Sequence, residues 1–359
     1  MSIARLIGAG AIALIAGGVF SGSAVAQYYR GKTITVIINY PPGGANDIEG
    51  RIIARHLPKH IAGKPRIIVK NTAGGGGNIG VNYLGEIAKP DGLTMGYVTW
   101  NVIAALLGDP GLRVRYSDLV LIAGVPNPIV FYARRDTPPG LKQPADIVKA
   151  KPFKALSLDT ANTNTVHQAL AFDIIGAKYI PVAGYRGLKE VETAVLQGEG
   201  QAGNISLPGW EGSSAPALVK TGVALPLWQL NGAGPDGSIT RFPAIPDIPT
   251  FEEVYQQVHG KKPSGIEYET MRLLIDSLTN MFRTAFMPPK TPAAAVKEMR
   301  AAFVTLFQDR EFLGDYKRAV RTEPRLVKGE DGEKIMARLA GVKPEIKSYL
   351  AGYLKKLEK

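Results

Sequence analysis

The sequence predicts an α/β protein of two lobes, with mostly parallel strands and the second lobe inserted into the first. Three observations lead there. Short β-branched runs alternate with helical stretches along most of the chain after residue 26. Two successive strands end in glycine-rich turns that open helices. A second α/β block then interrupts the first, which gives the expected boundaries: 27–125 and 227–359 for the first lobe, with C-terminal helices, and 126–226 for the second.

The first 26 residues read as a secretory signal. Arg5 charges the start, Leu6 to Phe20 is apolar, and Ala24-Val25-Ala26 is a small-residue cleavage site. Cleavage is expected after Ala26. The apolar run is too short to span a bilayer comfortably.

The strands and helices follow in order. Thr33 to Ile38 is a buried strand leading into Tyr40-Pro41-Pro42-Gly43-Gly44, and a helix runs from about Asp47 to His56. Arg66 to Lys70 is a second strand, ending in Asn71-Thr72-Ala73-Gly74-Gly75-Gly76-Gly77 before a helix from Asn78. Leu93 to Thr99 and Leu119 to Val125 complete this block. In the second block, Ile129 to Ala133, Ala155 to Leu158 and Tyr179 to Val182 read as strands. Thr163 to Ile175 and Leu188 to Leu196 read as helices. Val223 to Leu230 is apolar and extended, and is expected to carry the chain back, so that two crossing strands form a hinge. Beyond Phe251 the chain is mainly helical, with Thr291-Pro292 and Pro344 opening two helices.

Composition narrows the function. There is no Cys, which removes disulfides, thiolate metal sites and a lipid-anchoring Cys. The formal charge of +12 is spread out with no run of five basic residues, which favours small anions over nucleic acid and reads equally as a solubility charge with no role in binding. Catalytic signatures are absent: no Gly-x-Ser-x-Gly elbow, no His-Glu-x-x-His, and four dispersed histidines. No cofactor or metal site is expected.

The glycine turns carry the chemistry. The first N–H groups of a helix lack internal partners, and the helix dipole is positive there. Glycine lets backbone approach a ligand without a Cβ between them. Turn one (Tyr40 to Asp47) and turn two (Asn71 to Gly80) therefore predict an anion site at the carboxyl ends of neighbouring strands. Turn two lacks the Lys-Ser/Thr of a nucleotide-binding loop. Asp47 is expected to cap its helix through its side chain.

The motifs together resemble the substrate-binding proteins of tripartite tricarboxylate transporters, the TctC/Bug family. The resemblance rests on Pro41-Pro42-Gly43-Gly44-Ala45-Asn46-Asp47, on Asn71 with Gly74, Gly76, Gly77 and Gly80, and on Pro90-Asp91-Gly92. It rests most on Ile245-Pro246-Asp247-Ile248-Pro249-Thr250-Phe251-Glu252-Glu253. It covers the chain after the signal.

It implies a type II periplasmic binding protein fold, in which the second lobe closes over a small organic carboxylate. The partners it implies are the membrane subunits of the transporter, with a monomeric protein and no nucleic acid. The residues it points to are Tyr40, Pro42, Gly43, Gly44, Asp47, Gly75, Gly76 and Gly77 on the turns, with Thr99 and Asn101 beside them. On the second lobe they are Thr163, Asn164, His167, Tyr185 and Asn204. His167, with no Ser, Cys or acidic partner in a motif, reads first as a group that fixes the loop before it. Arg51 and Arg186 are the basic candidates for a second carboxylate. Several features depart from the family: Thr163-Asn164 replaces a Gly-Ser pair, Lys70 replaces a Glu, and Lys261 to Asn280 forms an extra helical segment. Presentation of bound ligand to a sensor kinase is the alternative to transport.

Overall fold

The computed structural model describes residues 28–160, 162–233 and 238–357. The signal segment and the cleavage site after Ala26 lie outside them. Among the described residues, eleven strands form two sheets: β1 (Thr33–Ile38), β2 (Arg66–Asn71), β3 (Thr94–Val98), β4 (Val120–Val125), β5 (Ile129–Arg134), β6 (Phe153–Leu156), β7 (Tyr179–Val182), β8 (Ala202–Ser206), β9 (Ala224–Leu230), β10 (Arg283–Met287) and β11 (Val327–Lys328).

The first sheet has the order β11-β4-β10-β3-β1-β2, and the second β7-β6-β8-β5-β9. Both are mixed rather than mostly parallel. β1 pairs parallel with β2 and β3, but β10 runs antiparallel between β3 and β4. In the second sheet β6 is parallel to β7 and β8, while β5 is antiparallel to β8 and β9. The physical reason is the crossing. β10 brings the chain back to the first sheet from the other lobe, so it enters in the opposite sense to the βαβ strands beside it.

β4 passes directly into β5 through Pro126-Asn127-Pro128, whose prolines remove two ladder donors and end the strand. The return path is longer. β9 stays paired with β5 as far as Leu230, opposite Ile129. Two helices, Phe251–His259 and Ile266–Thr279, then lead to β10. The extra segment expected at 261–280 is the second of these helices.

The Pro-Asp-x-Pro-Thr-Phe stretch builds this return. Thr250 Oγ1 accepts from Glu253 N (3.2 Å), and the Glu253 carboxylate accepts from Thr250 N (2.7 Å), a reciprocal capping box. Phe251 is buried edge-on against Trp228 of β9. Buried Gln229 ties the preceding loop by donating to the carbonyls of Ile245 (3.1 Å) and Ile248 (2.6 Å) and accepting from Phe242 N (2.7 Å).

Helix Thr163–Ile175 and β7 fall where the sequence places them. The helix after turn two starts at Asn78, runs only to Asn82, and continues as a wider turn over Tyr83–Ile87. Thr291 does not cap its helix: its hydroxyl donates to Pro288 O (2.8 Å), and Pro292 takes the cap position.

One apolar core spans both sheets. Ile37, Val98 and Trp100 join Phe131, Phe172 and Trp228 through Leu274 and Leu278 of helix Ile266–Thr279. Trp100 is therefore core, set edge-on against Tyr116. No helix among the described residues is long and apolar enough to cross a membrane.

Candidate functional site

A cavity of about 140 Å³ lies between the two sheets. That is close to the roughly 150 Å³ of an engineered cavity that holds benzene, so it suits a small molecule. One wall is turn one, with Tyr40, Pro41, Pro42, Gly44, Ala45 and Asn46. The facing wall is the start of helix Leu188–Gln197, with Gly187 to Glu190. Thr99, Ser206 and Arg283 also line it, as do Leu158, Asn164, Ile205 and Phe282.

Turn one presents the start of a 12-residue helix, Ala45–His56, capped by Gly44. The amides of Gly44, Ala45 and Asn46 precede the first intrahelical bond, from Ile48 N to Gly44 O. These three residues line the cavity, where the helix dipole favours a negative group. Asp47 holds this arrangement from behind. Its carboxylate accepts from Gly43 N (2.9 Å), Asn71 Nδ2 (2.9 Å) and Arg51 Nε (2.9 Å). Burial raises the Asp47 pKa, but the bonds from Arg51, Gly43 and Asn71 outweigh it and hold the group below the usual range. Asp47 is the third residue of its helix rather than the cap, and it does not line the cavity.

Asn39 organises the site. It is fully buried, and its Nδ2 donates to the carbonyls of Gly77 (3.2 Å) and Thr99 (2.9 Å). Its Oδ1 accepts from Asn46 Nδ2 (2.9 Å) and Thr99 N (3.1 Å). One side chain thus joins turn one, turn two and the end of β3. The sequence reading missed it. The available signal was a polar residue ending an apolar strand directly before the glycine turn.

Turn two has a different task from the one expected. Gly74, Gly75, Gly76 and Gly77 all have positive φ (124°, 56°, 62° and 98°), a run that other residues resist. None of them lines the cavity. Instead the Gly76 carbonyl accepts from Tyr40 Oη (3.0 Å) and from Asn162 Nδ2 (3.1 Å), and Asn162 Nδ2 also reaches Tyr40 Oη (3.1 Å). Asn162 stands just before helix Thr163–Ile175, so this triangle links the two lobes beside Tyr40, which lines the cavity. Burial, above all, raises the Tyr40 pKa, so the phenol keeps its proton.

The remaining expected residues separate into those facing the cavity and those supporting it. Tyr40, Pro42, Gly44, Thr99 and Asn164 line it; Gly43, Asn101, Thr163, His167, Tyr185 and Asn204 do not. Asn101 caps helix Val102–Leu107 by accepting from Ala104 N (3.2 Å), and it receives the Thr163 hydroxyl (3.0 Å), a second link between lobes. Asn204 donates to Asn164 O (3.2 Å) and Gln168 Oε1 (3.3 Å) behind the wall. Tyr185 donates outward to Glu199 (3.2 Å). His167 is fully buried beside Leu274, under helix Ile266–Thr279, and burial pushes its pKa down to about 3. It stays neutral at any physiological pH.

Neither basic candidate reaches the cavity. Arg51 is held by Asp47 and Asn71, and Arg186 pairs with Glu190 in solvent. The guanidinium at the cavity is Arg283, which the sequence reading did not single out.

No family model matches the chain. It is similar to Protein BugT of Bordetella pertussis, 34% identical over 95 residues, or 26% of this chain. That match spans only 28% of BugT. Among solved structures, a TctC solute-binding protein from Polaromonas is 20% identical, with a TM-score of 0.58 over 91% of this chain and 99% of that one. Rpa4515 of R. palustris, solved with adipate, is 18% identical, with a TM-score of 0.68 over 90% of this chain and 98% of that one. The chain thus shares sequence with BugT over one stretch and shares its fold with these solved solute-binding proteins over nine-tenths of its length.

Proposed function

We propose that this protein captures a small di- or tricarboxylate, or an aromatic acid, between its lobes in the periplasm, and delivers it to the membrane subunits of a tripartite tricarboxylate transporter. The observation that carries this reading is the helix start at Gly44–Asn46 lining a cavity between the two sheets. Backbone N–H groups at a helix start recognise a carboxylate without a dedicated side chain. The adipate held by Rpa4515 is a ligand of this chemistry.

In this reading one carboxylate settles on turn one. The second lobe then closes through Asn162 on Tyr40 and Gly76, and brings Asn164 and the Gly187–Glu190 turn against the ligand. Differential contacts of this kind are what shift a two-lobe protein toward its closed form. The protein acts alone, as a monomer without cofactor, after export and cleavage following Ala26.

Calorimetric titration with succinate, malate, adipate, citrate and benzoate tests the binding step. At least one binds at a 1:1 ratio in this account. Binding of neutral sugars or metal ions with none of the acids would end it. Uptake of the labelled acid by cells with and without this chain tests delivery.

A further inference from the structure

Arg283 opens β10 inside the apolar run Met281 to Met287. It is only 3% exposed, yet it lines the cavity. Its Nε donates to Glu49 Oε1 (2.7 Å), one Nη to Thr99 Oγ1 (2.6 Å) and the other to Ser206 Oγ (3.1 Å). A guanidinium carries five N–H donors, so a hydrogen on each Nη has no protein partner among the described residues. The Phe282 ring lies 4.6 Å from Cζ and holds the fork's plane.

The counter-charge is placed away from the cavity. Glu49 is fully buried, does not line the cavity, and accepts from Tyr316 Oη (2.6 Å) and Asn127 Nδ2 (3.3 Å). The pair is therefore an oriented buried dipole with its positive end at the cavity. The other charged residues lining the cavity are engaged with neighbours: Lys189 with Glu192 and Ser213, and Glu190 with Arg186. Thr99 belongs to the first lobe's strand end and Ser206 to the second's, so the fork also spans the point where the lobes meet.

We propose that Arg283 is a specificity-determining residue: its fork receives a carboxylate of the ligand in the cavity and makes the site reject neutral analogues. This rests on the carboxylate reading above. Charge-assisted bonds from a guanidinium are the strong ones and favour planar acceptors.

The test compares linear dicarboxylates of four to eight carbons with their diamides, by calorimetry on three proteins. Wild type binds the acids and not the amides. E49Q/R283M removes both buried charges together; it loses about 10–100-fold in acid affinity, while amide binding moves less than about threefold. R283K keeps a charge without the fork, so it loses several-fold and still prefers acids; it stands in if the double variant fails to melt cooperatively. Acid affinities within about threefold of wild type in the variants that fold would overturn the role of Arg283 and leave the carboxylate reading intact. Absence of acid binding by wild type would overturn both.

Discussion

Replacing Glu49 with Gln isolates the buried Arg283 charge. In the wild type the two groups are 2.7 Å apart, with side chains 0% and 4% exposed. Removing one partner of such a pair leaves an uncompensated buried charge, at a cost of about 3–5 kcal/mol. With roughly 2.1 cal/mol/K of unfolding entropy per residue over 359 residues, that is a fall in Tm of about 4–7 °C. The bonds to the carboxylate deepen the loss: Tyr316 and Asn127 both donate to Oε2 and Arg283 to Oε1, so whichever oxygen becomes the amide nitrogen, at least one donor loses its acceptor. R283M alone strands the glutamate and costs a similar amount. E49Q/R283M leaves no bare charge, and replacing a whole buried pair is often close to neutral. The two single losses therefore do not add, and the double variant melts nearer the wild type than either. Thermal unfolding by circular dichroism, run without ligand, reads all four proteins. Additive losses, or a fall below about 1 °C for E49Q, would refute the argument that the pair is a coupled buried unit.

Three further outcomes follow from the geometry. Gly77 has φ 98°, and a Cβ there would sit 2.5 Å from Asn39 Nδ2, whereas Gly44 has φ −79° and meets only Pro41 O at 3.7 Å. Gly77→Ala therefore costs about 1–3 kcal/mol in strain alone and weakens acid binding through Asn39, while Gly44→Ala changes the melting temperature little. Thr250→Ala removes the capping box and destabilises by about 0.5–2 kcal/mol with ligand affinity unchanged, which calorimetry and melting read together. His167 has a folded pKa near 3 against an ordinary 6.5. The unfolded chain thus binds a proton that the folded one refuses, and stability falls by up to about 1.4 kcal/mol per pH unit below 6.5. His167→Gln flattens this acid limb in pH-dependent melts, and it leaves no step in ligand affinity between pH 6 and 8.

Local patterns told most of the fold. Thr163 to Ile175 has a polar start, Gly176 in a left-handed stop conformation, and the apolar run Ala169 to Phe172 between them, so both ends were marked in the sequence. The helix after turn one was legible too, but the sequence placed its start near Asp47, whereas it begins at Ala45 with Gly44 as its cap. What the sequence hid was long-range. Glycines that free the backbone look the same whether they admit a ligand or fit under another side chain, and turn two does the latter beneath Asn39, Tyr40 and Asn162. The antiparallel sense of β10 depends on the path taken by two helices after β9, which no window of residues reveals. Arg283 lies 234 positions from its partner Glu49. A lone charge in an apolar strand was the hint, but its neighbours are set by the crossing of the lobes. His167 read as cleft or core until helix Ile266–Thr279 showed what covers it.

The account turns on whether an acid rests on the start of helix Ala45–His56. A crystal structure with the tightest-binding acid of the calorimetric panel decides this directly. We expect a carboxylate oxygen within hydrogen-bond reach of the Ala45 and Asn46 amides, directly or through one water, and an acidic group on the Arg283 fork. A ligand seated elsewhere, with the amides of turn one bonded to solvent alone, would contradict it.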